Sequence, residues 1–198
     1  MNNPEEVTKI IQGMELKMNG FDVINAKVLK ELADVIVDPI VHIINLCIGT
    51  VIWPDSLKCA EINPIFKEDD KSLPNSYRTI SLISNLAKML EKIIFNRLFS
   101  FIQKPKVLSP QQFSYIKKIR TKDALFKITS LLTEKIDETN RASITFLDLA
   151  KAFDAINHNI LLKKLNRNGI RGHASKLLRS YLSKRKQRVK IMILLANS

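Results

Sequence analysis

The stretch Phe146-Leu147-Asp148-Leu149-Ala150-Lys151-Ala152-Phe153-Asp154 decides how the rest of this chain is read. Ser143-Ile144-Thr145 precedes it, so residues 143–148 form a short run of β-branched and aromatic residues that closes on one acid. The pattern predicts a strand over 143–148 with Asp148 at its end. A strand end is a good mount for a metal-binding carboxylate, because the backbone fixes the side chain and the loop beyond leaves room for substrate. The plainer alternative is that Asp148 caps the helix predicted to follow. The segment alone leaves both open.

Toward the C-terminus, helical spacing runs through Ile156, Ile160, Leu161 and Leu165, and Asn168-Gly169 supplies a stop. A last helix is predicted near residues 174–182, ahead of a basic run at 184–190. Residues 189–195 read as an apolar strand with no partner, an edge that complete domains avoid, so the chain is expected to be cut there. Toward the N-terminus, Leu125, Ile128, Leu131 and Leu132 predict an amphipathic helix over 123–136. A break at 104–110 separates it from a helix over 84–101. Pro54, Pro64 and Pro74 make 51–77 strand and loop, with an extended run at 60–66. Ile24, Val28, Leu32, Val35 and Ile36 predict a helix ending before Pro39, and a second helix covers 40–47 and closes at Gly49. Asn19-Gly20 reads as a turn. Many helices with few strands predict the α+β class.

With 198 residues, 45% of them hydrophobic, and only 5 Gly and 7 Pro, the chain can build a packed core. Disordered, collagen-like and disulfide-scaffold classes are excluded, and the length fits one domain or one and a part. Cys47 and Cys59 are too few for a disulfide framework or a zinc site, which suits a reducing interior. The opening Met1-Asn2-Asn3-Pro4-Glu5-Glu6 lacks the regions of a signal peptide. Asp38, Pro39, His42 and Asn45 interrupt the apolar stretch 35–52, which argues for a buried helix pair and against a membrane span. The expected setting is intracellular, cytoplasmic or nuclear, with no membrane partner.

Charge is unevenly placed. Of 32 Lys+Arg and 19 Asp+Glu, residues 1–56 hold 4 and 8, whereas residues 57–198 hold 28 and 11. The second segment therefore carries +17 and repels itself unless an anionic partner screens it. Nucleic acid is the commonest such partner, since neutralising phosphates releases counterions. Generic basicity is the competing explanation. An anionic membrane ranks lower, because no segment joins a basic face to an exposed aromatic and leucine face. His42, His158 and His173 have no Cys or His at ligand spacing and are read as structural.

Several blocks in order along the chain carry a family likeness. Ala60-Glu61-Ile62-Asn63-Pro64-Ile65-Phe66-Lys67 is similar to a "Pro-Ile-x-Lys" strand, and Asn75-Ser76-Tyr77-Arg78-Thr79-Ile80-Ser81-Leu82 to Asn-Tyr-Arg-Pro-Ile-Ser-Leu, followed by Lys88 and Glu91. Gln112-Phe113-Ser114-Tyr115 with Thr121, Asp123 and Ala124 resembles Gln-x-Gly-Phe-Arg … Thr-x-Asp-Ala. The 146–154 stretch with His158, Leu161, Leu162 and Leu165 resembles motif A, and Tyr181, Leu182, Arg185, Gln187, Arg188 and Val189 resemble Tyr-Leu-x-x-Arg-x-Gln-x-Val. Phe21-Asp22-Val23-Ile24 stands where an N-terminal Pro-Asp-Gly-Ile segment would be. Together these resemble the reverse transcriptases of non-LTR, LINE-type (jockey-like) retrotransposons.

The resemblance implies a right-hand polymerase layout: an N-terminal helical segment (1–56), a fingers-like region (57–142) and a partial palm with motif A (143–198). It implies RNA-templated DNA synthesis with an RNA template, a DNA primer, deoxynucleotide triphosphates and Mg²⁺. Asp148 would be the first metal-binding catalytic carboxylate, and the Leu149 carbonyl a further metal ligand. Phe153 would be the steric gate against a ribose 2′-hydroxyl. Lys67 and Arg78 would reach the triphosphate as a point charge and a bidentate fork, and Gln112 would lie near the template. Ordinary alternatives stand beside these: solvated surface charge for Lys67 and Arg78, plain core for Phe153, a cap or local acceptor for Asp154. The basic run 184–190 is a candidate for nucleic-acid backbone contact.

Two cations about 3.5–4 Å apart need several anionic ligands. In the family the others come from a Tyr/Phe-x-Asp-Asp hairpin. This chain has no Asp after Asp154 and no Glu after Glu138, and its family-type Pro-Gln-Gly segment is missing. The expectation is a truncated copy, inactive as an isolated chain, without the endonuclease and zinc-knuckle regions of such elements. Ser114 for Gly, Ile116 for Arg and Thr79 for Pro fit a decaying copy as well as a working enzyme. A basic nucleic-acid-binding module without chemistry is the alternative function.

Overall fold

Ala33, Val37, Ile40, Ile44 and Cys47 repeat every three or four residues, and this stripe organises the N-terminal part of the computed structural model. The structure describes residues 3–16, 24–103, 107–116, 118–149 and 152–189. The Asn19-Gly20 turn, the Phe21-Asp22-Val23 segment and residues 190–195 of the expected last strand lie outside them.

Helix α1 (Pro4–Gln12) begins with a proline at its first turn, and the Asn3 side chain accepts the Glu6 N–H at 2.9 Å. Its Val7 and Ile11 are fully buried. Helix α2 (Ala26–Glu31) is capped by Asn25 and buries Ala26 and Leu29. Helix α3 (Ala33–Thr50) corrects the sequence reading, because it passes through Pro39 without ending. The break falls earlier, at Leu32. Pro39 forfeits one hydrogen bond, to the carbonyl of Val35, a residue 75% exposed whose backbone water can reach. The buried stripe on both sides of the proline holds the helix together. By length and composition α3 could also cross a membrane; here one of its faces lies in the core with Trp53, Met89, Leu90 and Ile93.

The predicted extended run is strand β1 (Cys59–Phe66), which turns back through β2 (Tyr77–Leu82), a strand that no sequence expectation covers beyond Tyr77. Helix α4 (Asn85–Ile102) follows. After α6 (His158–Arg167) and α7 (Gly172–Leu182), strand β3 (Lys186–Val189) pairs parallel to β1, giving the order β2-β1-β3. β3 overlaps the strand expected over 189–195 only at Val189, and it starts inside the basic run. Pro64 sits in the central strand, yet costs the sheet little. The Lys67 N–H to Ser76 carbonyl bond (2.8 Å) sets the alternation with β2, so the Pro64 nitrogen faces the β3 side, where pairing covers only Cys59 to Ile62. Mixed helix and a small sheet make this an α+β fold.

The chain forms two compact units, residues 1–98 with 158–198, and residues 99–157. The border falls inside α4. The first unit contains every buried residue among those described. The second holds α5 (Thr121–Thr139), which buries no residue at all. In it the predicted strand over 143–148 is not formed: residues 141–149 have no regular structure and are exposed. Strand propensity needs a ladder to be realised, and no described strand pairs with this segment.

Candidate active site

The β1–β2 hairpin places two of the expected site residues. Opposite residues of an antiparallel pair share a face, and the face repeats every second residue. Ile65 lies across from Arg78, Asn63 from Ile80 and Glu61 from Leu82. Lys67 continues that row one step past β1, bonded through its N–H to Ser76. Lys67 and Arg78 therefore stand on one face, diagonally adjacent and both exposed. The Lys67 ammonium pairs with the carboxylate of Glu68.

The same face floors a groove of about 1030 Å³, walled by α1 and α4 and rimmed by Lys9, Lys88 and Lys92. The sequence reading singled out Lys88 but not Lys92, its i+4 neighbour on α4, nor Lys9. The opposite face of the hairpin is the packed one, with Ala60 and Ile62 buried. At its open end the Phe66 and Tyr77 rings meet edge to face at 5.6 Å, and the Tyr77 hydroxyl donates to the Lys71 carbonyl at 2.9 Å. These contacts, with the Ser72 N–H on Asp70 Oδ1 (2.8 Å), give the connecting loop a fixed path.

The other expected residues lie in the second unit. Gln112 is exposed; its N–H donates to the Ser109 carbonyl at 3.0 Å and its Nε2 to the Ser114 carbonyl at 3.3 Å. Ser114, in the place of the family's glycine, is not left-handed; the left-handed residue is Tyr115, at φ 62°. Tyr115 meets Phe153 edge to face, ring centroids 6.0 Å apart. Phe153 is thus neither core nor solitary, since it is 71% exposed yet joins the Gln112 block to motif A. Asp148 is exposed in a segment without regular structure, with Leu149 beside it. Among the described residues it stands at no strand end and caps no helix, because α6 starts only at His158.

Three further motif residues, Glu91, Tyr181 and Arg185, meet in one network. Tyr181 packs against Trp53 (4.5 Å between centroids), and its hydroxyl donates to Glu91 Oε1 at 2.9 Å. The Arg185 guanidinium lies 4.6 Å over the Tyr181 ring and 3.9 Å from Glu91. Burial raises the Glu91 carboxyl above its ordinary range, against the lowering pull of Tyr181 and Arg185. Burial, then the Glu91 charge, pushes Tyr181 up to about 12. The network fixes the turn from α7 into β3. In the sequence these residues were visible only as pieces of family motifs.

Residues 65–194 match the family described as reverse transcriptase (RNA-dependent DNA polymerase). The chain belongs to that family. Its curated relatives are of the non-LTR, LINE type. Over 189 residues it is 28% identical to the "Probable RNA-directed DNA polymerase from transposon BS" of Drosophila melanogaster, covering 94% of this chain and 21% of the relative. It is 28% identical over 162 residues to the "RNA-directed DNA polymerase from mobile element jockey" of Drosophila funebris, 81% of this chain and 18% of that one. The "Probable RNA-directed DNA polymerase from transposon X-element" of Drosophila melanogaster is 28% identical over 185 residues, 92% and 20%. The chain thus spans about a fifth of the length of these relatives.

All of Lys67, Arg78, Gln112, Asp148, Leu149 and Phe153 fall within the matched residues of this reverse transcriptase chain. Reverse transcriptases use divalent metal ions. Among the described residues no three His, Cys, Asp or Glu side chains gather into a metal cluster, so these residues do not by themselves fit a two-metal site.

Proposed function

We propose that the chain is the fingers and the start of the palm of a retrotransposon reverse transcriptase, a protein that adds deoxynucleotides to a DNA primer on an RNA template, in the cytoplasm or nucleus. The observation that carries this is the shared face of Lys67 and Arg78 on the β1–β2 hairpin, both of them among the family-matched residues. An ammonium and a guanidinium side by side offer a triphosphate a point charge and a two-pronged donor. In this reading Gln112 lies by the template and Phe153 by the sugar of the incoming nucleotide, its edge-on contact with Tyr115 supporting a fixed ring. Asp148 and the Leu149 carbonyl are the part of an Mg²⁺ site that these residues contribute. A lone exposed carboxylate does not hold two cations, so the 198 residues alone do not polymerise.

Two measurements test the reading. Titration of a fluorescent deoxynucleotide triphosphate should show binding that Lys67→Ala and Arg78→Ala each weaken roughly tenfold, as loss of a charge-assisted contact does. Unchanged binding in both variants would remove the triphosphate role. Primer extension with the purified chain and Mg²⁺ should give no product. Extension that Asp148→Asn abolishes would refute the inactivity and affirm the chemistry.

A further inference from the structure

The described residues from His158 to Val189 hold ten Lys and Arg and no Asp or Glu. Arg171, between the two helices, bonds the Asn166 carbonyl, and the other nine cations fall into two groups. Those of the basic run around β3 are answered from within the fold: Arg185 by Glu91, and Arg188 by Glu61 at 3.0 Å. Asp55, whose carboxyl is held low first by Lys58, also feels Lys184 and Lys186. Among the described residues, no acid answers the helical group. Lys163, Lys164 and Arg167 on α6, and Lys176 and Arg179 on α7, are exposed and form no ion pair among the described residues.

Helical spacing explains where they stand. On α6, Leu161, Leu162 and Leu165 turn inward, and Lys163, Lys164 and Arg167 occupy the opposite side. On α7, Leu177, Leu178 and Tyr181 turn inward, and Lys176 and Arg179 lie opposite, one turn apart. The two helices form a braced hairpin: Asn166 Nδ2 donates to Ser175 Oγ at 2.9 Å, and Arg171 Nε donates to the Asn166 carbonyl at 3.0 Å. Like charges three and four residues apart repel. Elsewhere the chain avoids this with pairs such as Lys27–Glu31 on α2 and Lys135–Glu138 on α5.

We infer that the outward faces of α6 and α7 are a docking surface for the phosphate backbone of nucleic acid. A rigid array of unneutralised cations with no interleaved acid matches a polyanion of regular charge spacing. A lipid surface would ask for large apolar side chains on the same faces; Ile160 on α6 is the single one exposed there. The inference rests on the nucleic-acid partner of the proposed function, but not on Asp148, Lys67 or Arg78. It shifts the backbone contact expected of the run 184–190 onto the helices before it.

The test uses the whole chain and a 24-base-pair DNA duplex, with affinity measured across a salt series. The variant Lys163→Gln/Arg167→Gln/Lys176→Gln/Arg179→Gln should bind roughly tenfold or more weaker at 0.1 M salt, and its log–log salt slope should flatten by about 3 to 4. A control with the same loss of charge, Lys118→Gln/Lys122→Gln/Lys127→Gln/Lys135→Gln, should keep the slope to within about 1. Equal flattening in both, or none in the first, overturns the proposal. Binding to phosphatidylserine vesicles but not to the duplex also overturns it. Should the first variant fail to fold, acetylation of the wild-type chain decides: the duplex must protect Lys163, Lys164 and Lys176, and undiminished labelling refutes the site. A failed triphosphate titration would leave each of these outcomes unaffected.

Discussion

The first compact unit closes over Val7, Ile11, Trp53, Met89 and Ile93, all at most 2% exposed, whereas the second has no buried residue among those described. Both have helices and both have apolar sequence. The difference is whether each apolar face has another to meet. In the first unit α1, α3, α4 and α7 all contribute to one cluster. In the second, α5 keeps Leu125, Phe126 and Leu131 in solvent, and the neighbouring segment exposes Phe146, Leu147 and Leu149. The cations proposed for the triphosphate thus sit on a supported hairpin, while the expected catalytic carboxylate has no hydrogen bond or ion pair among the described residues. Preorganisation, the quantity on which such chemistry depends, is unequally shared between them.

The largest effect expected from this contrast is on stability. Ile93→Ala should cost about 2–5 kcal/mol in urea denaturation, since it opens a cavity in a site with no solvent access. Leu147→Ala, at 87% exposure, should stay within about 0.5 kcal/mol. A comparable loss in both would mean that the second unit has a core after all.

Much of the first unit was legible in advance. The periods of α4, α6 and α7 and the extended run at β1 follow from local pattern, as does the stop at Asn168-Gly169, where Gly169 adopts φ 95°. What was illegible depended on partners. Pro39 reads as a helix end because its own chemistry breaks helices, and only the buried stripe on both sides shows that packing outweighs it. β2 and the pairing of β3 needed β1 beside them. Residues 143–148 have every local mark of a strand, and without a ladder they are not one. The candidate site is readable in the sequence only as residue identities in motif order, and Lys67 and Arg78 become neighbours only once the register is known.

Next in size is the bracing network. Tyr181→Phe should cost about 1–2 kcal/mol at pH 7, because it removes a buried hydrogen bond to a carboxylate. Its pH dependence follows from the raised Tyr181 hydroxyl. The fold keeps that proton where the unfolded chain has lost it, so the stabilisation is full below pH 10 and is lost as pH rises toward about 12. Glu91 behaves in the same sense at the acid end: a raised carboxyl favours the fold at low pH, and that increment is lost as the group ionises. Wild type should therefore lose stability between pH 10 and 12 more steeply than Tyr181→Phe. Parallel curves would show that the hydroxyl is solvated.

The N-cap of α1 comes next. Asn3→Ala removes the acceptor of the Glu6 N–H and should cost about 1 kcal/mol, read as a small shift of the urea midpoint. The cap matters because α1 walls the groove beside the Lys67–Arg78 face, so a frayed α1 should also loosen that wall. Replacement by Ser, which restores an acceptor, should recover most of the loss.

The smallest expected change is the most informative about the second unit. Asp148 has no hydrogen bond or ion pair among the described residues, and no strand or helix end depends on it. Asp148→Asn should therefore leave stability within about 0.5 kcal/mol, because an exposed side chain without partners contributes little to the difference between folded and unfolded chains. A structural acid would behave otherwise, since a capping carboxylate is worth about 1 kcal/mol. A loss of that size would place Asp148 in the architecture of this chain and weaken its claim to metal. No loss is what a residue kept for chemistry would show, its anionic partners still to be assembled around it.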